Sequence, residues 1–233
     1  MMLRNLLDWQ KVWNDKSKNH QCAMTGGRKK TSLLDAINTQ VLDAMHFNAD
    51  DIVLDLGCGA GNLVQEISLI AKKVVGIDLS LGMLQYAEKK SNTFYVQSDM
   101  QFLPFKNKTF SKIISVSSLM YLAEYSLENL FRQLDKVLMP EGIIFFGQLI
   151  NQDRAKSLFS FKGFNKPEDF SELAEIIKKK AALKLGVLTT HNPSVFSALA
   201  HKYGYRTERL PGISPQTIYR DNYLHFSMTL TKR

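Results

Sequence analysis

The stretch VLDLGCGAGNL, Val53 to Leu63, places Gly57, Gly59 and Gly61 at alternate positions behind an apolar run that carries one acid, Asp55. A glycine-rich turn between a first strand and a first helix presents main-chain amides at a helix N-terminus, which suits an anion or any ligand that must lie against the backbone. The dinucleotide fingerprint is GxGxxG, whereas the spacing here is GxGxG, so a pyrophosphate is a poor match. Asp55 sharpens that contrast, because a carboxylate two residues before the first glycine repels a pyrophosphate and attracts an ammonium group. Asp78 follows Gly57 by 21 residues, at the end of a second apolar run. An acid there can accept two hydrogen bonds from the hydroxyls of a ribose. The ligand so described has a ribose and a positive group.

Apolar runs and helical stripes alternate from residue 31 onward, the pattern of parallel strands joined by crossover helices. The fold class is α/β, a doubly wound and mostly parallel sheet. Strands are expected at Ile52 to Leu56, Val74 to Asp78, Phe94 to Ser98, Lys112 to Ser117 and Ile143 to Leu149, nearly continuous in apolarity as strands buried on both faces should be. Leu127, Leu130, Phe131, Leu134 and Leu138 recur at helical spacing, and Pro140 with Gly142 should stop that helix. Val195, Phe196, Leu199, Ala200 and Tyr203 form a further stripe, capped by Asn192, with Pro193 in the first turn and Gly204 at the end. Arg206 to Leu210 and Tyr223 to Thr231 leave no room for a helix between them and should pair as an antiparallel hairpin. The expected divisions are an N-terminal helical extension (1–48), a core (49–149), an insertion (150–192) and a last helix with the hairpin (193–233).

Composition bounds the alternatives. A chain of 233 residues, 45% hydrophobic, holds one well-buried domain and accessory segments. Its two cysteines, Cys22 and Cys58, stand at no metal or redox spacing, so neither a zinc site nor a disulfide framework is expected and a reducing cytoplasm fits. No stretch approaches the roughly 18 apolar residues of a membrane span. The net charge of +8 comes in scattered clusters, Arg28 to Lys30, Lys72 and Lys73, Lys89 and Lys90, and Lys178 to Lys180. These are compatible with an acidic partner without demanding one.

S-adenosylmethionine (SAM) has a ribose, a positive group and no phosphate. At these residues the chain resembles the class I, seven-stranded SAM-dependent methyltransferases, in particular those acting on small molecules. The resemblance runs from Asp51 to Gly147 through VLDLGCGAGNL, VVGIDLS, FYVQSDMQFLPFKNKTF, SKIISVSSLMYL and LDKVLMPEGIIFFG. It implies that Gly57, Gly59 and Gly61 let the main chain approach the methionine and ribose, with Asp55 near the amino group. It further implies that Asp78 binds the ribose hydroxyls and that Leu79 packs on the adenine. Asp99 would accept from the exocyclic amine of adenine, and the amide of Met100 would donate to its ring. Ser115 or Val116 would offer a carbonyl to the ammonium. Two departures, Ser111 for a common aspartate and Glu141 for a common glycine, lie away from these contacts.

Methyl transfer from a sulfonium is an in-line displacement, so alignment and exclusion of water supply most of the catalysis and a base is optional. Tyr121 occupies a position where related enzymes often carry histidine. It is expected either to position substrate or to pack as an ordinary amphipathic aromatic. His20, His191, His201 and His225 show no partner pattern and read as surface or loop residues. Related DNA and protein amino-methylating enzymes carry an NPPY-like tetrapeptide where this chain has SSLM, which argues against base-amine methylation. Trp9, Trp13 and CAMTGGRKK are read either as a cover on the substrate side, able to hold an acidic or sugar-like acceptor, or as a helix anchored on the core. The first 30 residues and 150–192, with Phe159, Phe161 and Phe164, are expected to form a mobile cover. The acceptor is expected to be a small molecule, with no membrane association. RNA methylation through the basic clusters and a non-catalytic SAM-binding partner protein stand as alternatives, neither supported by an RNA-binding motif.

Overall fold

The computed structural model describes residues 8–26, 31–153, 181, 188–213 and 225–232. Seven strands form one sheet: β1 Ile52–Leu56, β2 Lys73–Asp78, β3 Thr93–Gln97, β4 Phe110–Val116, β5 Leu138–Ile150, β6 Tyr205–Pro211 and β7 His225–Lys232. Their order is β3-β2-β1-β4-β5-β7-β6. Strands β1 to β5 pair in parallel, and β7 lies antiparallel to both β5 and β6. The expected α/β sheet with its C-terminal hairpin is therefore present. The chain runs outward from β1 to β3 and then returns to place β4 on the other side of β1. This reversal opens a crevice at the carboxyl ends of β1 and β4, where ligands of such sheets bind.

The described helices are α1 Trp9–Ser17, α2 His20–Thr25, α3 Thr31–Met45, α4 Asn62–Ser68, α5 Leu81–Leu84, α6 Leu127–Val137 and α7 Pro193–Lys202. Alternation along the strands sends Val53 and Val74 to one face and Leu54 and Val75 to the other. The first set packs with Val41 and Met45 of α3 and with Val64 and Ile67 of α4. The second packs with Leu130, Phe131 and Leu134 of α6 and with Phe196 and Ala200 of α7. Residues 31–45, expected in an extension, thus cover a face of the sheet.

Several expectations need correction. The α6 helix stops at Val137, before Pro140, and Leu138 is already extended (ψ 137°) and opens β5. A proline disfavours helical geometry in the residue before it, so the break falls upstream. Strand β3 is a sheet edge rather than a strand buried on both faces, and Phe94 is exposed, its ring covered by the Lys73 ammonium. In α7, Asn192 caps Ser194 and Pro193 opens the helix as expected, but Val195 points to solvent. His191, read as a surface or loop residue, is buried edge-on against Phe196. Phe159, Phe161 and Phe164 lie outside the described residues.

Glu141, early in β5 at a position where a glycine was noted as the common residue, has a positive φ of 61°. Left-handed geometry costs a residue with a Cβ about 1–2 kcal/mol, partly offset by glycine's larger unfolded-state entropy. Glu141→Gly is expected to raise stability by about 0.5–1 kcal/mol, measured by urea unfolding.

Candidate active site

The loop after β1 is held to β2 by its main chain: the amides of Gly57 and Cys58 both donate to the Ile77 carbonyl, at 2.8 and 3.0 Å. Gly57, Gly59 and Gly61 all have positive φ, 76°, 57° and 79°. At Gly57 space is also closed, since a Cβ there would lie 2.6 Å from Ser118 Cβ. The loop therefore presents bare backbone at the crevice between β1 and β4.

Two acids flank it. Asp55 is 3% exposed, and no hydrogen-bond donor among the described residues reaches its carboxylate. Burial first, and the nearby Asp78 charge second, push its carboxyl up to about 8. Asp78 accepts from the amides of Gly59 at 2.9 Å and Ser80 at 2.8 Å. Burial nevertheless outweighs those bonds and holds its carboxyl above the usual range. Burial and both carboxylates together push the Cys58 thiol up, so it is not a ready nucleophile. Among the described residues, no cation pairs with Asp55 or Asp78.

The other expected residues stand at or just after the carboxyl ends of β2, β3 and β4. Ser115 is buried at the end of β4, and its hydroxyl donates to the Leu56 carbonyl at 3.2 Å. Val116 follows, half-buried, and the chain turns sharply at Ser117 (φ 58°). Leu79 is exposed beyond Asp78, with its carbonyl taken by Gln97 Nε2 at 3.0 Å. Met100 packs on the larger core cluster beside the position of Gly57. Asp99 accepts from the Gln101 amide at 2.8 Å in the turn after β3. Tyr121 closes a 3-10 turn, Leu119–Tyr121, just past Ser118.

The N-terminal helix docks on the turn after β2 through Asn14, a contact the linear pattern did not reveal. Asn14 Oδ1 accepts from Ser80 Oγ at 2.7 Å and from the Gly82 amide at 3.0 Å. A side chain at Gly82 would run into Ser17 Oγ, so α1 lies directly on α5. Tyr86 donates to the Ser17 carbonyl at 2.9 Å, and Asn62 Nδ2 donates to the Met24 carbonyl. Trp9 and Trp13 stand 4.6 and 5.7 Å from Tyr121, centroid to centroid. The tryptophans thus sit on an anchored helix that packs on α5 and against Tyr121. Ser118 was likewise missed, because only the return of β4 brings it against Gly57. Asn14 in the sequence carries no signal; a lone asparagine in an amphipathic stretch is ordinary.

Losing Asn14 removes two bonds worth about 0.5–1.5 kcal/mol each. Asn14→Ala is expected to loosen α1, seen as a red shift in the emission of Trp9 and Trp13, the chain's two tryptophans, and faster tryptic cleavage at Lys16. Unchanged emission and cleavage would show that the helix is held by its aromatic contacts alone.

A sheet of this order, with a glycine loop and two acids at the point where strand order reverses, is the architecture of the class I SAM-dependent methyltransferases. Residues 53–142 match the family model described as a methyltransferase domain. It is 35% identical over 103 residues to a malonyl-[acyl-carrier protein] O-methyltransferase of Legionella pneumophila, covering 42% of this chain and 36% of that one. The chain spans less than two thirds of the length of curated relatives it matches. Among solved structures, a methyltransferase in complex with the Trm112 activator of Haloferax volcanii superposes with a TM-score of 0.69 at 14% identity, over 95% of this chain and 98% of that one. The N-methyltransferase NodS of Bradyrhizobium japonicum, bound to S-adenosylhomocysteine, superposes at 0.66 and 14% identity, over 96% and 97%. At such identities these structures speak for the fold. No described helix is long and apolar enough to cross a membrane.

Proposed function

We propose that the chain is a SAM-dependent methyltransferase acting on a small-molecule acceptor at oxygen, nitrogen or carbon, chiefly by positioning and by excluding water. The observation that carries this reading is the pair Asp55 and Asp78 around a loop with no cation beside it among the described residues. A buried carboxyl without a donor suits an incoming ammonium, and glycines in left-handed geometry leave room for a ligand against the main chain. A pyrophosphate would meet two carboxylates there. In this assignment Asp55 faces the amino group, Asp78 the ribose hydroxyls and Leu79 the adenine. Asp99 and the Met100 amide take the adenine edge, and the carbonyl of Ser115 or Val116 takes the ammonium. Bound SAM supplies an electrophilic methyl group on a sulfonium; the chain's own residues bind, orient and desolvate. Tyr121 faces the acceptor side under the α1 roof. The two free cysteines, Cys22 and Cys58, accord with a cytoplasmic setting.

The basic clusters give the RNA reading little support. Lys73 opens β2 and Lys90 lies three residues before β3, so both sit at the amino ends of the strands, opposite the crevice. The other two clusters, at 28–30 and 178–180, lie outside the described residues. The activator-bound neighbour is the ground for keeping a protein partner as a second reading, tested by whether this chain turns over alone. Calorimetry with S-adenosylhomocysteine tests the primary one; binding of NAD in its place would overturn it.

Protons provide an independent check. A carboxyl raised to about 8 favours the folded state fully below about pH 4 and withdraws that contribution as pH rises through about 8. The unliganded protein is thus expected to lose thermal stability from this group progressively between about pH 4 and 8. An ammonium beside Asp55 favours its ionised form, so binding near pH 7 should release close to one proton, and affinity should rise with pH and level off above 8. Calorimetry in buffers of different ionisation heat measures the release directly; no release would remove Asp55 from the ammonium.

A further inference from the structure

We infer that Trp9, Trp13 and Tyr121, with Lys16 behind them, form the acceptor subsite and that the acceptor presents a carboxylate on an apolar body. The inference rests on the methyltransferase reading above and deepens it. Its first ground is position. Asn14 ties α1 to the turn after β2, while Trp9 and Trp13 of the same helix meet Tyr121 after β4. Strand β1 lies between those two strands, so α1 crosses above the glycine loop. The scale agrees: two strand spacings come to roughly 10 Å, and a nine-residue helix is about 13 Å long. The aromatic trio thus stands at the β4 end of the roof, directly beyond Ser118 and Gly57.

The second ground is an unmet hydrogen bond. Trp9 Nε1 is buried and has no acceptor among the described residues. An indole N–H in that state ordinarily finds a partner, and leaving it without one costs about 1–3 kcal/mol. An acceptor molecule that brings an oxygen satisfies it. The third ground is charge. Lys16 Nζ lies 4.2 Å from the centroid of Trp13, occupying the aromatic face that would otherwise attract a cationic ligand. Asp15, the nearest acid on the helix, is engaged by Lys18 at 2.8 Å, leaving Lys16 to an incoming anion. An N–H donor, a lysine and three rings together select an oxyanion with an apolar body over an amine.

The chemistry balances without a base. A carboxylate oxygen forms the new bond to the methyl carbon as the bond from that carbon to sulfur breaks, and the electron pair stays on sulfur. A carboxylate and a sulfonium become a methyl ester and a thioether, with no proton to remove.

Because Trp9 and Trp13 are the chain's two tryptophans, indole emission reads this subsite without knowledge of the natural acceptor. The probes are phenylacetate and hexanoate, each against the amine of the same skeleton, added to protein saturated with S-adenosylhomocysteine. At least one carboxylate is expected to change the emission saturably, at least tenfold more tightly than its amine. In Trp9→Phe, where Trp13 still reports, that affinity should fall about tenfold, the value of one lost hydrogen bond at a desolvated site, while calorimetric affinity for S-adenosylhomocysteine is kept. Equal or tighter binding of the amines, no saturable response to either carboxylate, or an unaffected Trp9→Phe would overturn the inference. Failure of S-adenosylhomocysteine to bind at all would instead overturn the methyltransferase reading beneath it.

Discussion

Asp78→Ala is expected to lower affinity for SAM and S-adenosylhomocysteine by a hundredfold or more. In the assigned role the carboxylate accepts two ribose hydroxyls, and charge-assisted bonds of that kind contribute about 1–3 kcal/mol each. The same side chain also holds the site together, because its two oxygens accept from the Gly59 and Ser80 amides and so fix the loops after β1 and β2 against each other. Alanine removes both functions. Asp78→Asn retains an oxygen for one of them and should fall between. Calorimetry on the three proteins, with circular dichroism to confirm folding, tests this; a folded Asp78→Ala that binds within a few-fold of the parent would remove Asp78 from the ribose.

The largest effect on stability should come from the opposite end of the same strands. Lys112 and Asp51 form an ion pair of 2.7 Å with both side chains under a tenth exposed. Its remaining valences are filled: Lys112 also donates to the His46 carbonyl at 2.8 Å, while Asp51 accepts from the Asn48 amide and from Ser111 Oγ, each at 2.8 Å. Removing one partner leaves a desolvated charge, which costs about 3–5 kcal/mol. Lys112→Met is therefore expected to lower unfolding free energy by that amount in urea, with affinity for S-adenosylhomocysteine unchanged. Adding Asp51→Asn should recover part of the loss. A single variant losing under 1 kcal/mol would show that water reaches the pair.

The Ser111 noted as a departure from the family pattern finds its reason in this pair. Its hydroxyl accepts from the Ile52 amide at 3.1 Å as it donates to Asp51, pinning the start of β1 to β4. Nothing in the linear order hints that Asp51, Ser111 and Lys112 meet.

What the sequence by itself determined is what depends on period and local chemistry. The strands from β1 to β4 were legible because apolar runs bounded by breakers leave few alternatives, and α7 because Asn192 and Pro193 supply a start signal that works within one turn. The glycine loop, Asp55 and Asp78 were legible for a related reason: all lie at strand ends in one strand-helix-strand unit, so sequence spacing maps directly onto space. The end of α6 and the edge position of β3 were not, since the first turns on competition between Pro140 and the helical stripe, and the second on which strand the chain leaves outermost. Only the tertiary structure decided that Ser118 closes on Gly57, that Asn14 clasps Ser80, and that Trp9 and Trp13 meet Tyr121. Those contacts join segments tens to about a hundred residues apart, through side chains whose types are common everywhere. Their placement follows from strand order and helix docking, quantities that no local pattern of residues encodes.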